Sequence, residues 1–103
     1  MNNYNIVISK HTNKTLKQNI EFLKRFSIPY ALKIESYIRK SILNLKQFPN
    51  FNPIYKITSI CIYRKLIVKK RYNIIYTVIK DTIYVFYIYD GRQSYDKYFK
   101  SLK

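Results

Sequence analysis

Apolar residues recur along the chain with two periods, and the change of period divides it into elements. Between Tyr4 and Ser9 apolar and polar side chains alternate, and the apolar ones are β-branched, which predicts a first strand. From Thr12, taken as an N-cap, to about Phe26 the pattern is helical. Leu16, Ile20, Leu23 and Phe26 fall on one face, and Lys14, Lys17, Lys24 and Arg25 cover much of the rest. A second helix begins in "SIPYALKIESYIRKSILNLKQFP". Pro29 suits its first turn, where a missing N–H costs nothing. Ala31, Ile34, Ile38, Ile42, Leu45 and Phe48 keep the helical spacing until Pro49 ends it. The joint between the helices is short, so they should form an antiparallel hairpin.

After "NFNPIYK" the period changes to two. Residues 55–59, 61–68, 71–79 and 82–89 are rich in Ile, Val, Tyr and Thr and read as strands, with a tight turn at Lys80–Asp81. Gly91 breaks the sheet, and "SYDKYFKSLK" is expected to form a short C-terminal helix. The fold class is therefore α+β, in the order β-α-α-β-β-β(-β). The helical hairpin should pack on one face of an antiparallel sheet, in one domain over residues 1–103.

Charge changes this picture most. Twenty Lys and Arg face five Asp and Glu, for a formal +15. An A/T-rich codon bias inflates Lys, Asn, Ile and Tyr, but it does not remove acids. Their scarcity points to a polyanionic partner: nucleic acid, an acidic protein or an anionic surface. With 48% hydrophobic residues the chain can still bury a core. The single Cys61 cannot form an intrachain disulfide, and "MNNYNIVISK" holds no apolar run of signal length. "IYVFYIY" is too short to span a bilayer, so a cytoplasmic protein without membrane attachment is expected.

Strand parity suggests two roles for the sheet. Over residues 71–79, Tyr72, Ile74, Tyr76 and Val78 share one face, and Arg71, Asn73, Ile75, Thr77 and Ile79 share the other. The first set is larger and more apolar, so it should meet the helices. The second would make an electropositive platform with aromatic residues nearby, suited to phosphates and stacked bases. An ordinary solvated, Lys-rich sheet explains the same residues equally well.

The order of elements, with "YRKL" (63–66), "RYNIIYTV" (71–78), "DTIYVFYI" (81–88) and "DGRQ" (90–93), resembles the RelE/ParE superfamily of type II toxin–antitoxin toxins. Arg64, Tyr72, Tyr76, Asp81 and Arg92 occupy the positions of the family pattern, and the helix carrying Ala31, Ile38, Leu45 and Pro49 matches its second helix. The resemblance implies a growth-inhibiting toxin, of the kind that serves plasmid stabilisation, neutralised by a cognate, acidic antitoxin.

It also implies one of two targets. ParE-like members inhibit DNA gyrase and are not nucleases. RelE-like members are endoribonucleases that cut mRNA on the ribosome, a reaction in which Arg64, Arg71, Arg92 and Tyr98 would take the catalytic places. Lys65, Lys69, Lys70, Arg71 and Arg92 are the candidate phosphate- or target-binding residues. An Arg fork binds an oxyanion at two points, so Arg71 and Arg92 are expected to outweigh Lys69 and Lys70. Asn73 stands where RelE carries Arg, and Leu66 and Val68 stand where it has a lysine pair. The motifs thus lean to ParE-like gyrase inhibition, while +15 leans to RNA and the ribosome. A non-enzymatic, basic RNA-binding protein is a further reading.

The remaining chemistry is sparse. A lone His11 with Cys61 gives no metal-ligand spacing, and no cofactor is implied. His11 is expected to be an exposed loop residue. Glu21 and Glu35 are expected to pair with Arg25 and Arg39 along their helices.

Overall fold

A computed structural model describes residues 4–91. The expected C-terminal helix, and with it Arg92 and Tyr98, lies outside those residues. The chain opens with strand β1 (Asn5–Ile8), followed by helices α1 (Lys10–Lys24) and α2 (Ile28–Asn44). Strands β2 (Ile54–Ile57), β3 (Ile62–Val68), β4 (Tyr72–Ile79) and β5 (Thr82–Asp90) complete it. The sheet order is β1-β5-β4-β3-β2. The expected meander β2–β5 is antiparallel throughout, and β1 joins it in parallel beside β5, which makes the sheet mixed. A helical hairpin between β1 and the meander allows that parallel pairing, because a parallel neighbour needs a long crossover.

Both helices start on serine caps. Ser9 Oγ accepts from the Thr12 amide at 3.0 Å, and Ser27 Oγ accepts from the Tyr30 amide at 3.2 Å. Ser9, and not Thr12, caps α1 because β1 ends at Ile8 and runs straight into the helix. Thr12 is instead buried inside the first turn, with its Oγ1 2.7 Å from Ser9 Oγ. The apolar faces bury Leu16, Ile20 and Leu23 of α1 and Ala31, Ile34, Ile38 and Ile42 of α2. Phe26 and Phe48 were expected on these faces and are instead 76% and 68% exposed. Both lie past the helix ends, where helical spacing no longer sets direction.

The parity argument for β4 holds on the helix side. Tyr72, Ile74 and Tyr76 are fully buried in one core with the helices, and Val78 packs at its margin. Strand β5 reaches the same side by a bulge. Tyr76 pairs with Val85 but Ile75 pairs with Tyr87, so Phe86 is the extra residue. Without that slip, strict alternation would carry Ile88 away from the helices. With it, Ile83, Val85 and Ile88 all join the helix-side core.

Two hairpin turns place non-glycine residues in the left-handed region: Lys69 (φ 55°) and Lys70 (φ 54°) between β3 and β4, and Lys80 (φ 55°) between β4 and β5. Each costs roughly 1 kcal/mol that glycine would avoid.

Candidate functional site

On the described face of the sheet away from the helices the expected aromatic residues predominate, and the expected electropositive platform is reduced. Ile75, Tyr87 and Tyr89 form a second buried cluster there, flanked by Tyr55 and Tyr63. Asn73 and Thr77 are buried between them, and Thr77 Oγ1 donates to the Ile62 carbonyl at 2.8 Å. Among the candidate cations Lys65 belongs to this face, since it pairs with Ile75, and its Nζ lies 5.9 Å from the Tyr55 ring centroid. Tyr63 sits beside Cys61, and burial, reinforced by that thiol, raises its phenol above the ordinary value. His11 is in the first turn of α1 and not in a loop. It stacks on Tyr87 with centroids 5.4 Å apart and planes 4° from parallel.

Arg64 lies on the other side, opposite Tyr76 in the register. Its Nη1 donates to the Asn52 carbonyl at 2.7 Å. Asn52 Nδ2 donates to the Tyr76 hydroxyl at 3.1 Å, and that hydroxyl donates to the Pro49 carbonyl at 2.6 Å. Arg64 thus ties the loop after α2 to the sheet. Burial raises the Tyr76 phenol above its usual range, against the opposing pulls of the Asn52 hydrogen bond and the Arg64 charge.

Lys69, Lys70 and Arg71 meet at the opposite end of β3. Val68 faces Tyr72 in the register, four residues along from Arg64, so the two sites lie about 13 Å apart at 3.3 Å per strand residue. Arg71 does not look out from the open face. It belongs to the turn before β4, where strand parity does not apply, and its side chain folds toward the helices. Its Nε and Nη2 donate to Asp90 Oδ2 at 3.0 and 2.8 Å, and its guanidinium carbon lies 5.2 Å from the Tyr72 ring centroid. The hydrogen bond to Asp90 raises the Arg71 pKa further above its already high ordinary value, with burial opposing. Lys69 Nζ stands 3.7 Å from the Tyr37 ring centroid.

A cleft of about 390 Å³ opens here, lined by Tyr30 and Ile34 of α2, by Lys69, Lys70, Arg71 and Tyr72, and by Gly91. Gly91 closes it tightly. Its amide donates to the Arg71 carbonyl at 2.6 Å, and a Cβ would come within 2.8 Å of that oxygen and 2.9 Å of Asn73 Nδ2.

The cleft therefore gathers three of the candidate residues, and Arg64 and Lys65 lie elsewhere. Sequence reasoning missed Asp90 as the partner of Arg71, and also Tyr30 and Tyr37. A usable signal for Asp90 existed: counting back from the Lys80–Asp81 turn puts residue 71 opposite residue 90. The tyrosines carried no such signal, because α2 meets this turn only in three dimensions.

Glu21 pairs with Lys24 at 3.2 Å, and not with Arg25, while Glu35 pairs with Arg39 at 3.3 Å as expected. No group of His, Cys, Asp and Glu among the described residues could hold a metal ion, and no described helix is long and apolar enough to cross a membrane.

The fold has a solved counterpart. A chain described as "Chromosomal ParDE TA system from P. aeruginosa" superposes with a TM-score of 0.72 over 85% of this chain and 96% of that one, at 15% sequence identity. The protein has that chain's fold. No family model matches the sequence, and no curated protein does.

Proposed function

We propose that the protein is the growth-inhibiting toxin of a type II toxin–antitoxin module, held inactive by a cognate acidic antitoxin, and that its target is DNA gyrase. The observation that carries the toxin reading is the likeness of fold to a chain of a chromosomal ParDE system over 85% of this chain, joined to the motif positions in β3–β5. A surface at +15 with five acids would steer an acidic partner into place.

Two features support gyrase over mRNA. Asn73, where a RelE-type arginine would stand, is buried and directs Nδ2 at the Arg71 carbonyl, 3.4 Å away. Arg71, the nearest substitute, is engaged with Asp90. RNA cleavage through the 2′-hydroxyl needs a base, an acid and cations around one phosphate. The described part of the open face offers tyrosines, isoleucine, the His11 ring stacked on Tyr87 and, among the candidate cations, Lys65, so an acid or base is at hand but the cations around one phosphate are few.

The test is expression with and without each flanking reading frame, followed by two assays of the purified protein. Growth arrest relieved by one neighbour, blocked supercoiling and intact mRNA on programmed ribosomes are the expected results. Cleaved mRNA would move the protein to the RelE-like alternative. Unimpaired growth would leave the reading of a non-enzymatic, basic RNA-binding protein.

A further inference from the structure

The β3–β4 turn is built from residues unsuited to its backbone. Lys69 and Lys70 are consecutive and both left-handed, at φ 55° and 54°, where Asn or Gly would relieve the strain. Backbone strain kept in this way is a reason to look for a use. The side chains supply one. Lys69 is held over the Tyr37 ring at 3.7 Å, and Arg71 is fixed by Asp90 at 2.8 Å. Two of the three cations are therefore positioned in advance, so less rotamer entropy is lost when an anion arrives. Among the described residues, three cations against the one carboxylate of Asp90 leave surplus positive charge beside a cleft of about 390 Å³. Glu35, the acid next to Ile34, is drawn to Arg39.

We infer that this cleft is a recognition site for neighbouring carboxylates on an acidic segment of a protein partner, with Lys69 and Lys70 as the binding cations and Arg71 as the anchored third. The inference rests on the reading above that an acidic protein neutralises the chain. Two observations favour a peptide over a nucleic-acid backbone. The cations are bunched on three consecutive residues, whereas a phosphate track needs them strung along a groove. Tyr30, half-exposed at the cleft, also lends it one aromatic wall, against which the aliphatic stems of Glu side chains can lie.

The experiment compares the full chain with Lys69→Asn/Lys70→Asn, a pair that removes charge and tolerates the left-handed backbone. Lys14→Asn/Lys17→Asn on α1 removes the same charge elsewhere. The probes are a fluorescein-labelled hexaglutamate peptide and a labelled DNA duplex, read by anisotropy at low ionic strength, with thermal unfolding of each variant. The turn variant should unfold no earlier than the parent and should lose about tenfold or more in hexaglutamate affinity, against about twofold for the α1 pair, with DNA affected alike by both. Equal peptide losses in the two variants would reduce the site to a general field and overturn it. A turn variant that loses DNA more than peptide would make it a phosphate site instead. Growth arrest is scored separately. Peptide selectivity without arrest would keep the site and discard the toxin reading, and arrest relieved by a neighbour that binds the turn variant undiminished would do the reverse.

Discussion

Tyr76 shows how much one hydroxyl can carry. It donates to the Pro49 carbonyl and accepts from Asn52, whose own carbonyl is held by Arg64. Three residues, two from the loop after α2 and one from β3, converge on it. Tyr76→Phe removes the oxygen and leaves Pro49 and Asn52 without that partner, a loss of roughly 1–3 kcal/mol. The same group gives a pH signature. Burial holds the folded phenol neutral above its ordinary value of 10.0, while the unfolded chain ionises near that value. The stability tied to the neutral phenol is complete below pH 10.0 and is lost as pH rises through the raised folded value. Tyr63 is raised in the same direction and adds to the effect. Chemical denaturation from neutral to alkaline pH should show a shallower alkaline decline for Tyr76→Phe than for the parent. Identical declines would mean that Tyr76 ionises in the folded state as freely as in the unfolded one.

At the scale of elements, the end of the β4–β5 hairpin is a tight joint. The Gly91 amide, the Arg71 carbonyl and Asn73 Nδ2 crowd into a space with no room for a Cβ, and the obstruction at 2.8 Å is a backbone oxygen that cannot swing away. Gly91→Ala should therefore spread β4 from β5 at this end and cost about 1–3 kcal/mol, as other overpacked sites do. Thermal unfolding measures the cost, and a fall in hexaglutamate affinity alongside it would tie the joint to the cleft that Gly91 lines. An unchanged melting temperature would mean that the hairpin end yields freely. The count from the Lys80–Asp81 turn already sets Arg71 against Asp90. The Phe86 bulge shifts the direct pairing to Tyr72–Asp90, and Arg71 still reaches the carboxylate from one residue before the strand.

Over the whole molecule, charge opposes folding. A chain at +15 repels itself, and its five acids can offset only a little of that. The ion pairs Glu21–Lys24 and Glu35–Arg39 lie on exposed helix surface and contribute little. Salt should stabilise the protein by screening the repulsion, with a rise of about 4 °C in melting temperature for each kcal/mol gained. A melting temperature that falls as sodium chloride is added would show that attractive pairs outweigh the repulsion. Polyanion binding should weaken over the same range, because it draws on the same field.

The sequence by itself determined the element order, the buried face of each helix and the helix-side set Tyr72, Ile74 and Tyr76, because periodicity records which side chains must leave water together. It also determined the excess of positive charge, twenty Lys and Arg against five Asp and Glu. Only the tertiary structure decided the rest. It placed β1 in parallel beside β5, filled the open face with Ile75, Tyr87 and Tyr89, and turned Arg71 toward the helices. Parity assigns faces within a strand but says nothing of turn residues, of bulges, or of which helix end a turn will meet. The cleft lies where those three undetermined features coincide. Lys69 and Lys70 are legible as charges in the chain, but their left-handed turn and the Tyr37 ring beneath Lys69 exist only once α2 is packed on the sheet.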